Sequence, residues 1–433
     1  MKRRLLPILM TLVLVCALPI WAAFVTSGDV TNPLLTTAGA TSPPDTAAAR
    51  LKSAISNGGT VQLIEDIEIS ETLLVTRDVT LDLNGHVLKM TGNSSVLRVK
   101  KDGPDPVTLT ITDSRPQNPH TGSYGRLPAG GVITGGEGTN VTGIYYVGGA
   151  VFLENDTTLK LEGGTITENS SSGGSVFISG EKAVFEMSGG TITGETVGVR
   201  NNVGTFTMTG GRITGCSDRG VYVYNGNMTM SGTAYIGENP NARREDIYVC
   251  ESDHKHTDLS VTGGTIAGNV RIVFLERLHP TQEELKAAAN SVVKEQGVFD
   301  GHIKVEIGTS GTCVDYNSVN FIDEVAKTRT FQLIFMQGDK KARKPDDPAT
   351  VNGQAFKHWA KEGTSEAWDS STEIEVPLTL YAVRTPASSG YYYAPPAEQP
   401  IEAPKTADPG AALYGALALL SLTGLTCTAR KKF

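Results

Sequence analysis

The chain has 433 residues, enough for two or three domains. Its formal charge is −8, from 38 basic and 46 acidic residues, and no long basic stripe interrupts it. Nucleic-acid binding needs clustered Lys and Arg against phosphate, so that class is excluded.

The first elements are sorting elements. Met1-Lys2-Arg3-Arg4 is basic, Leu5 to Ile20 is apolar, and Trp21-Ala22-Ala23 supplies small residues for cleavage. Residues 1–23 therefore read as a signal peptide, with a lone N-terminal transmembrane helix as the alternative. Residues 24–45 are Thr-, Ser- and Pro-rich and read as a linker. Thr46 to Ile55 predicts a short amphipathic helix suited to capping a stack of strands.

The middle of the chain repeats. The pattern is apolar, any, apolar, small, Gly, Gly, any, Ile, as in Phe185-Glu186-Met187-Ser188-Gly189-Gly190-Thr191-Ile192 and Phe206-Thr207-Met208-Thr209-Gly210-Gly211-Arg212-Ile213. Leu159 to Ile166 and Leu259 to Ile266 are further copies, and Met228 to Ile236 is a weaker one. Leu109 and Ile111 begin the series, with Gly130-Gly131-Val132-Ile133 after an insertion. The Ile anchors at 133, 166, 192, 213, 236 and 266 lie 33, 26, 21, 23 and 30 residues apart. That period is one supersecondary unit per repeat. Alternating apolar residues within each unit give strand periodicity. A second strand falls between anchors, at 176–178, 197–199, 221–223 and 247–249. Gly pairs and Asn supply corners that need positive φ. Residues 46–270 are thus expected to be a right-handed parallel β-helix. A β-propeller would need about 40 residues per blade. The Asp82-Leu83-Asn84-Gly85-His86 string and the Gly-Gly-Thr-Ile rungs resemble pectate-lyase-fold, adhesin-like surface proteins of Gram-positive anaerobes.

The rhythm breaks at 271–330, expected to cap the open end of the stack. Thr281-Gln282-Glu283-Glu284 is a capping box opening a helix to about Gln296, and His302 to Ile307 alternates like a strand. Residues 331–384 carry Phe331 to Phe335, the Phe356–Trp359 pair and Leu378-Thr379-Leu380-Tyr381-Ala382. This order resembles one Listeria–Bacteroides repeat, a small β-grasp-like module, which implies a spacer or interaction role with Trp359 in its core. Residues 385–402 form a Pro-rich linker.

Residues 403–433 combine Ala403-Pro404-Lys405-Thr406-Ala407-Asp408, an apolar run from Ala411 to about Ala429, and terminal Arg430-Lys431-Lys432-Phe433. The run has the length of a bilayer-spanning helix, and the basic end favours a cytoplasmic C-terminus. The arrangement resembles the cell-wall sorting signal of Gram-positive surface proteins. Pro404, Lys405 and Thr406 match its motif, while Ala403 and Ala407 stand where Leu and Gly are usual. The resemblance implies cleavage after Thr406 by a sortase and linkage to peptidoglycan; an ordinary membrane tail is the alternative. Both readings place the bulk of the chain outside the cell. Cleavage at both ends would leave 32 basic against 45 acidic residues.

Five Cys are present, of which Cys216, Cys250 and Cys313 lie in the exported part. Their spacing fits no zinc pattern, and a Cys216–Cys250 disulfide or unpaired packing thiols are both open. Catalytic candidates are Asp218-Arg219, Glu245-Asp246 and Asp253-His254-Lys255-His256, each of which also reads as solvated surface. No cofactor or metal is expected. An outward stripe is the stronger lead. Val221 and Val223 point inward, so Tyr222 points outward, and Phe152, Phe177, Gly198 and Tyr248 are its expected equivalents. Such rings form a candidate platform for glycans or host proteins, or simply cover the sheet exterior. The expectation is a wall-anchored, non-enzymatic adhesin-like protein. A secreted polysaccharide lyase or hydrolase, and a passive structural spacer, are the alternatives.

Overall fold

A computed structural model of the chain describes residues 46–141, 146–238, 245–251, 259–275, 280–292, 298–308 and 313–386. The signal segment, the sorting segment and the Asp253–His256 cluster fall outside these residues. Among the described residues no helix is long and apolar enough to cross a membrane.

The protein is mainly β. Helix α1, Ala47–Asn57, is N-capped by Thr46, whose hydroxyl accepts from the Ala49 N–H at 3.2 Å. It buries Leu51, Ala54 and Ile55 against the first strands. From there the chain visits three sheets in turn. Sheet A has eight strands among the described residues, from Gly59–Gln62 to Leu259–Val261. Sheet B has nine, from Ile67–Ile69 to Val298–Phe299. Sheet C begins at Leu73–Val75 and runs in parallel to His302–Ile307. Within each sheet, strands from successive passes of the chain pair in parallel, an arrangement compatible with a β-helix.

The repeat sets the register. Ile133, Ile166, Ile192, Ile213, Ile236 and Ile266 pair one above the next in sheet B, and each is fully buried. In sheet A the column Leu109, Leu159, Phe185, Phe206, Met228, Leu259 is likewise paired one above the next and buried. The Phe185 and Phe206 rings stack at 4.9 Å between centroids. The Gly pairs turn the chain from sheet A to sheet B. Gly190 and Gly211 have φ of 70° and 78°, and a Cβ on Gly189 would sit 2.1 Å from the Glu162 carbonyl oxygen. Only glycine fits both places.

After Ile307 the pairing changes. The long strand Cys313–Asp323 runs antiparallel to His302–Ile307, and Thr328–Phe335 pairs with it antiparallel. Leu378–Arg384 joins it in parallel and pairs with Phe356–Lys361. The segments 271–330 and 331–384 therefore share one sheet, with Cys313–Asp323 common to both. A second core of Val319, Phe321, Ile334, Trp359 and Leu380 lies there. Phe321 meets Trp359 edge to face at 5.2 Å. Arg384 closes the unit through a buried ion pair with Asp323 and a hydrogen bond to the Gln354 carbonyl at 2.7 Å. Helix α2, Gln282–Ser291, has the expected capping box between Thr281 and Glu284.

Candidate functional site

The expected aromatic platform differs from the sheet C exterior in three ways. The first is register. Val176 pairs with Val199, so Arg200, not Gly198, stands between Phe177 and Tyr222. The Val197–Asn201 strand is two residues longer than its Val-x-Val pattern implies, and its inward triplet is displaced. The outward column is Leu74, Arg98, Phe152, Phe177, Arg200, Tyr222, Tyr248, Arg271, Lys304. The second is burial. Phe152 and Phe177 are only 5% and 6% exposed. They pack with Val147 from a hairpin that lies over them, its strands Thr139–Asn140 and Tyr146–Val147 pairing antiparallel. These two rings form a satellite core and offer no ligand surface.

The third difference is that the tyrosines already have partners. The Arg200 guanidinium lies 4.7 Å from the Tyr222 ring centre, and Arg219 lies 5.4 Å from Tyr222 and 4.3 Å from Tyr248. Arg271 lies 5.7 Å from Tyr248, and the two tyrosines meet edge to face at 5.0 Å. Cation–π contacts of this kind contribute about 0.5–2 kcal/mol each, depending on desolvation. Carboxylates complete the network. Asp218 pairs with Arg219 at 2.7 Å, Glu245 with Arg271 at 3.3 Å, and Glu306 pairs with Arg271 and with Lys304. Burial first, then Cys250 and Tyr222, push the Tyr248 phenol up to about 12. Asp218-Arg219 and Glu245 thus serve this ladder, while Asp246 is buried at 3% exposure.

The cysteines form no disulfide among the described residues; Cys216 and Cys250 are buried and Cys313 is half-buried. In register Cys250 pairs with Tyr224, so Cys216 is not its neighbour across the rungs. Burial pushes the Cys216 thiol up to about 12, which disfavours the reactive thiolate.

Two features were not foreseen from the sequence. At the corner between sheets B and C, Glu195 is 1% exposed. Its carboxyl accepts from the Asn169 main-chain N–H at 3.0 Å and from Asn169 Nδ2 at 2.9 Å. Burial outweighs these bonds and raises its pKa to about 7. Glu195 holds the place that Asn169 holds one rung earlier, a sequence signal that a turn Glu easily hides.

The other feature is a trough on the sheet A exterior. Two adjoining depressions of about 530 and 300 Å³ lie on this face, and a third of about 540 Å³ lies beyond it at the A-to-B corner, where Thr165, Thr191 and Arg212 of sheet B join its wall; all three include Glu162. The first two also share Lys160. Sheet A carries Thr60, Thr80, Thr110, Lys160, Glu186 and Thr207 in one outward column, each in register with the next. Its interior alternates with Leu, Ile, Phe and Met, so the outer face is left to hydroxyls and charges. The Gly163-Gly164, Gly190 and Gly211 corner forms one bank, and the 113–131 insertion supplies Asp113, Pro116 and Ala129 at its end. Asp113 holds that insertion by accepting from the Gly85 and Gly131 N–H groups at 2.8 and 2.6 Å.

Among the described residues no group of three or more His, Cys, Asp or Glu is placed to hold a metal ion. No family model, curated protein or solved structure matches the chain.

Proposed function

We propose that the chain is a secreted, wall-anchored, adhesin-like protein that displays a right-handed β-helix and binds glycans or surface proteins through sheet A. The sheet A trough carries this reading. It is open, continuous over several rungs, and lined by hydroxyls that have both donors and acceptors to offer. A carbohydrate chain presents the same chemistry. The sheet C ladder, by contrast, has its ring faces occupied by arginines and serves as structural cover.

The remaining parts fit a display protein. Residues 1–23 act as signal peptide, 331–384 as a Listeria–Bacteroides repeat-like β-grasp module, 385–402 as a stalk, and 403–433 as a sorting signal. Sortase joins Thr406 of Pro404-Lys405-Thr406-Ala407 to peptidoglycan. Thr406→Val then leaves the protein in the membrane fraction, while the wild type is released by a peptidoglycan hydrolase. Wild type extracted intact by detergent contradicts the anchor.

The binding function is tested by a glycan screen with the exported chain, run beside a polysaccharide-degradation assay. Glycan retention without degradation supports the reading. Product release replaces it with a lyase or hydrolase. Neither retention nor product leaves the spacer reading.

A further inference from the structure

The trough's charges narrow its ligand. We infer that it takes a neutral, hydroxyl-rich glycan chain laid along the stacking axis and disfavours acidic glycans; this rests on the binding role proposed above.

Direction comes from the register. The outward column from Thr60 to Thr207 crosses six paired strands of sheet A. At ~4.8 Å per strand the trough offers polar groups every rung over roughly 24 Å. A polymer aligned with the axis meets the hydroxyls of Thr60, Thr80, Thr110 and Thr207 with the Lys160–Glu186 pair between them, whereas one lying across it meets a single strand.

Charge sets the class. Among the described residues, the sheet A walls contain three carboxylates, Asp78, Glu162 and Glu186, against one cation, Lys160, and the corner adds Asp113 and Arg212. Both cations are already engaged: Lys160 pairs with Glu186 at 3.4 Å and Arg212 with Glu238 at 3.0 Å. Glu162, common to all three depressions, is exposed. A uronate or sulfated chain would meet excess negative charge, with no uncommitted cation among the described wall residues. A neutral sugar hydroxyl donates to Glu162 and exchanges bonds with Thr hydroxyls without that repulsion.

A protein strand is the weaker occupant. From Val79–Asp82 to Thr205–Met208 the strands under the trough are paired on both sides, and only Gly59–Gln62 is an edge strand, at the end of the stack beside helix α1, so strand addition has little to build on. Among the described residues its walls hold no aromatic anchor, and Met187 is buried at 1% exposure.

The test uses purified full-length chain in affinity electrophoresis through gels containing a neutral glucan, a neutral mannan, a polyuronate or gelatin. Retardation by at least one neutral glycan is expected, with the polyuronate at least tenfold weaker at low salt. Retardation should grow with oligosaccharide length and level off once the chain spans the trough. Glu162→Gln combined with Glu186→Gln should narrow the neutral-to-acidic gap several-fold, as should raised salt. A polyuronate bound as tightly as the neutral glycans, or a gap unmoved by the double variant, overturns the inference while leaving glycan binding intact. Folded protein retarded by no glycan, or by gelatin alone, removes the binding role and this inference with it.

Discussion

The exteriors of sheets A and C are built on the same rungs and have opposite characters. Sheet C is closed: Phe152 and Phe177 lie under a hairpin, and Tyr222 and Tyr248 sit among Arg200, Arg219 and Arg271. Sheet A is open, with short Thr side chains around the Lys160–Glu186 pair. Large aromatic side chains on a strand exterior need cover, and the fold supplies it. Small polar side chains need none, so their face stays available. An outward aromatic is therefore a poor guide to a binding face when cationic residues share its column.

The shared interior tests whether both faces depend on one register. Ile213→Asp places a charge in the sheet B stack, where Ile213 is fully buried. A loss of more than about 4 kcal/mol is expected, or failure to fold. Circular dichroism and denaturant unfolding measure it; a stable mutant means the rungs are paired differently.

Glu195 tests the corner between sheets B and C. Its folded pKa, about 7, lies above the ordinary carboxyl value. The folded state therefore holds the proton more tightly than the unfolded state. This stability is fully present below about pH 4.5 and is lost as pH rises to about 7, by about 3 kcal/mol in all. Glu195→Gln should flatten the melting temperature across that window and raise it at pH 8. An unchanged pH profile would assign the slope to other groups.

Smaller effects separate the two faces. Tyr222→Ala with Tyr248→Ala should cost about 1–3 kcal/mol, because several cation–π and ring contacts go together. Thr110→Ser with Thr207→Ser keeps both hydroxyls and should shift stability by less than about 0.5 kcal/mol. Equal losses from both pairs by thermal unfolding would erase the distinction between a sealed face and an open one.

The stack was legible because its determinants are local and repeated. Gly-Gly-x-Ile fixes both the A-to-B corner and the buried anchor, so the sheet B column could be read residue by residue. The sheet C register was less legible. Val197-Gly198-Val199 matches the other triplets in pattern, but the corner length places Val199, not Val197, over Val176. Burial of Phe152 and Phe177 depends on a hairpin supplied by an insertion, which periodicity does not report. The 313–385 sheet crosses position 330 because Cys313–Asp323 is a long strand serving two neighbours, a non-local pairing. The trough escaped notice because Thr residues are common on strand exteriors. Only the register, the insertion and the Gly corner together make them a surface.

Comparison of two paired variants tests the central claim most directly: Lys160→Ala with Glu162→Ala in the trough, and Tyr222→Ala with Tyr248→Ala on the ladder. Glycan binding is measured for both, at a temperature where each is shown to be folded. The trough pair should lose binding by tenfold or more with little change in stability, and the ladder pair should lose stability with binding intact. Binding lost from the ladder pair and kept by the trough pair would contradict the account and return the ligand face to sheet C.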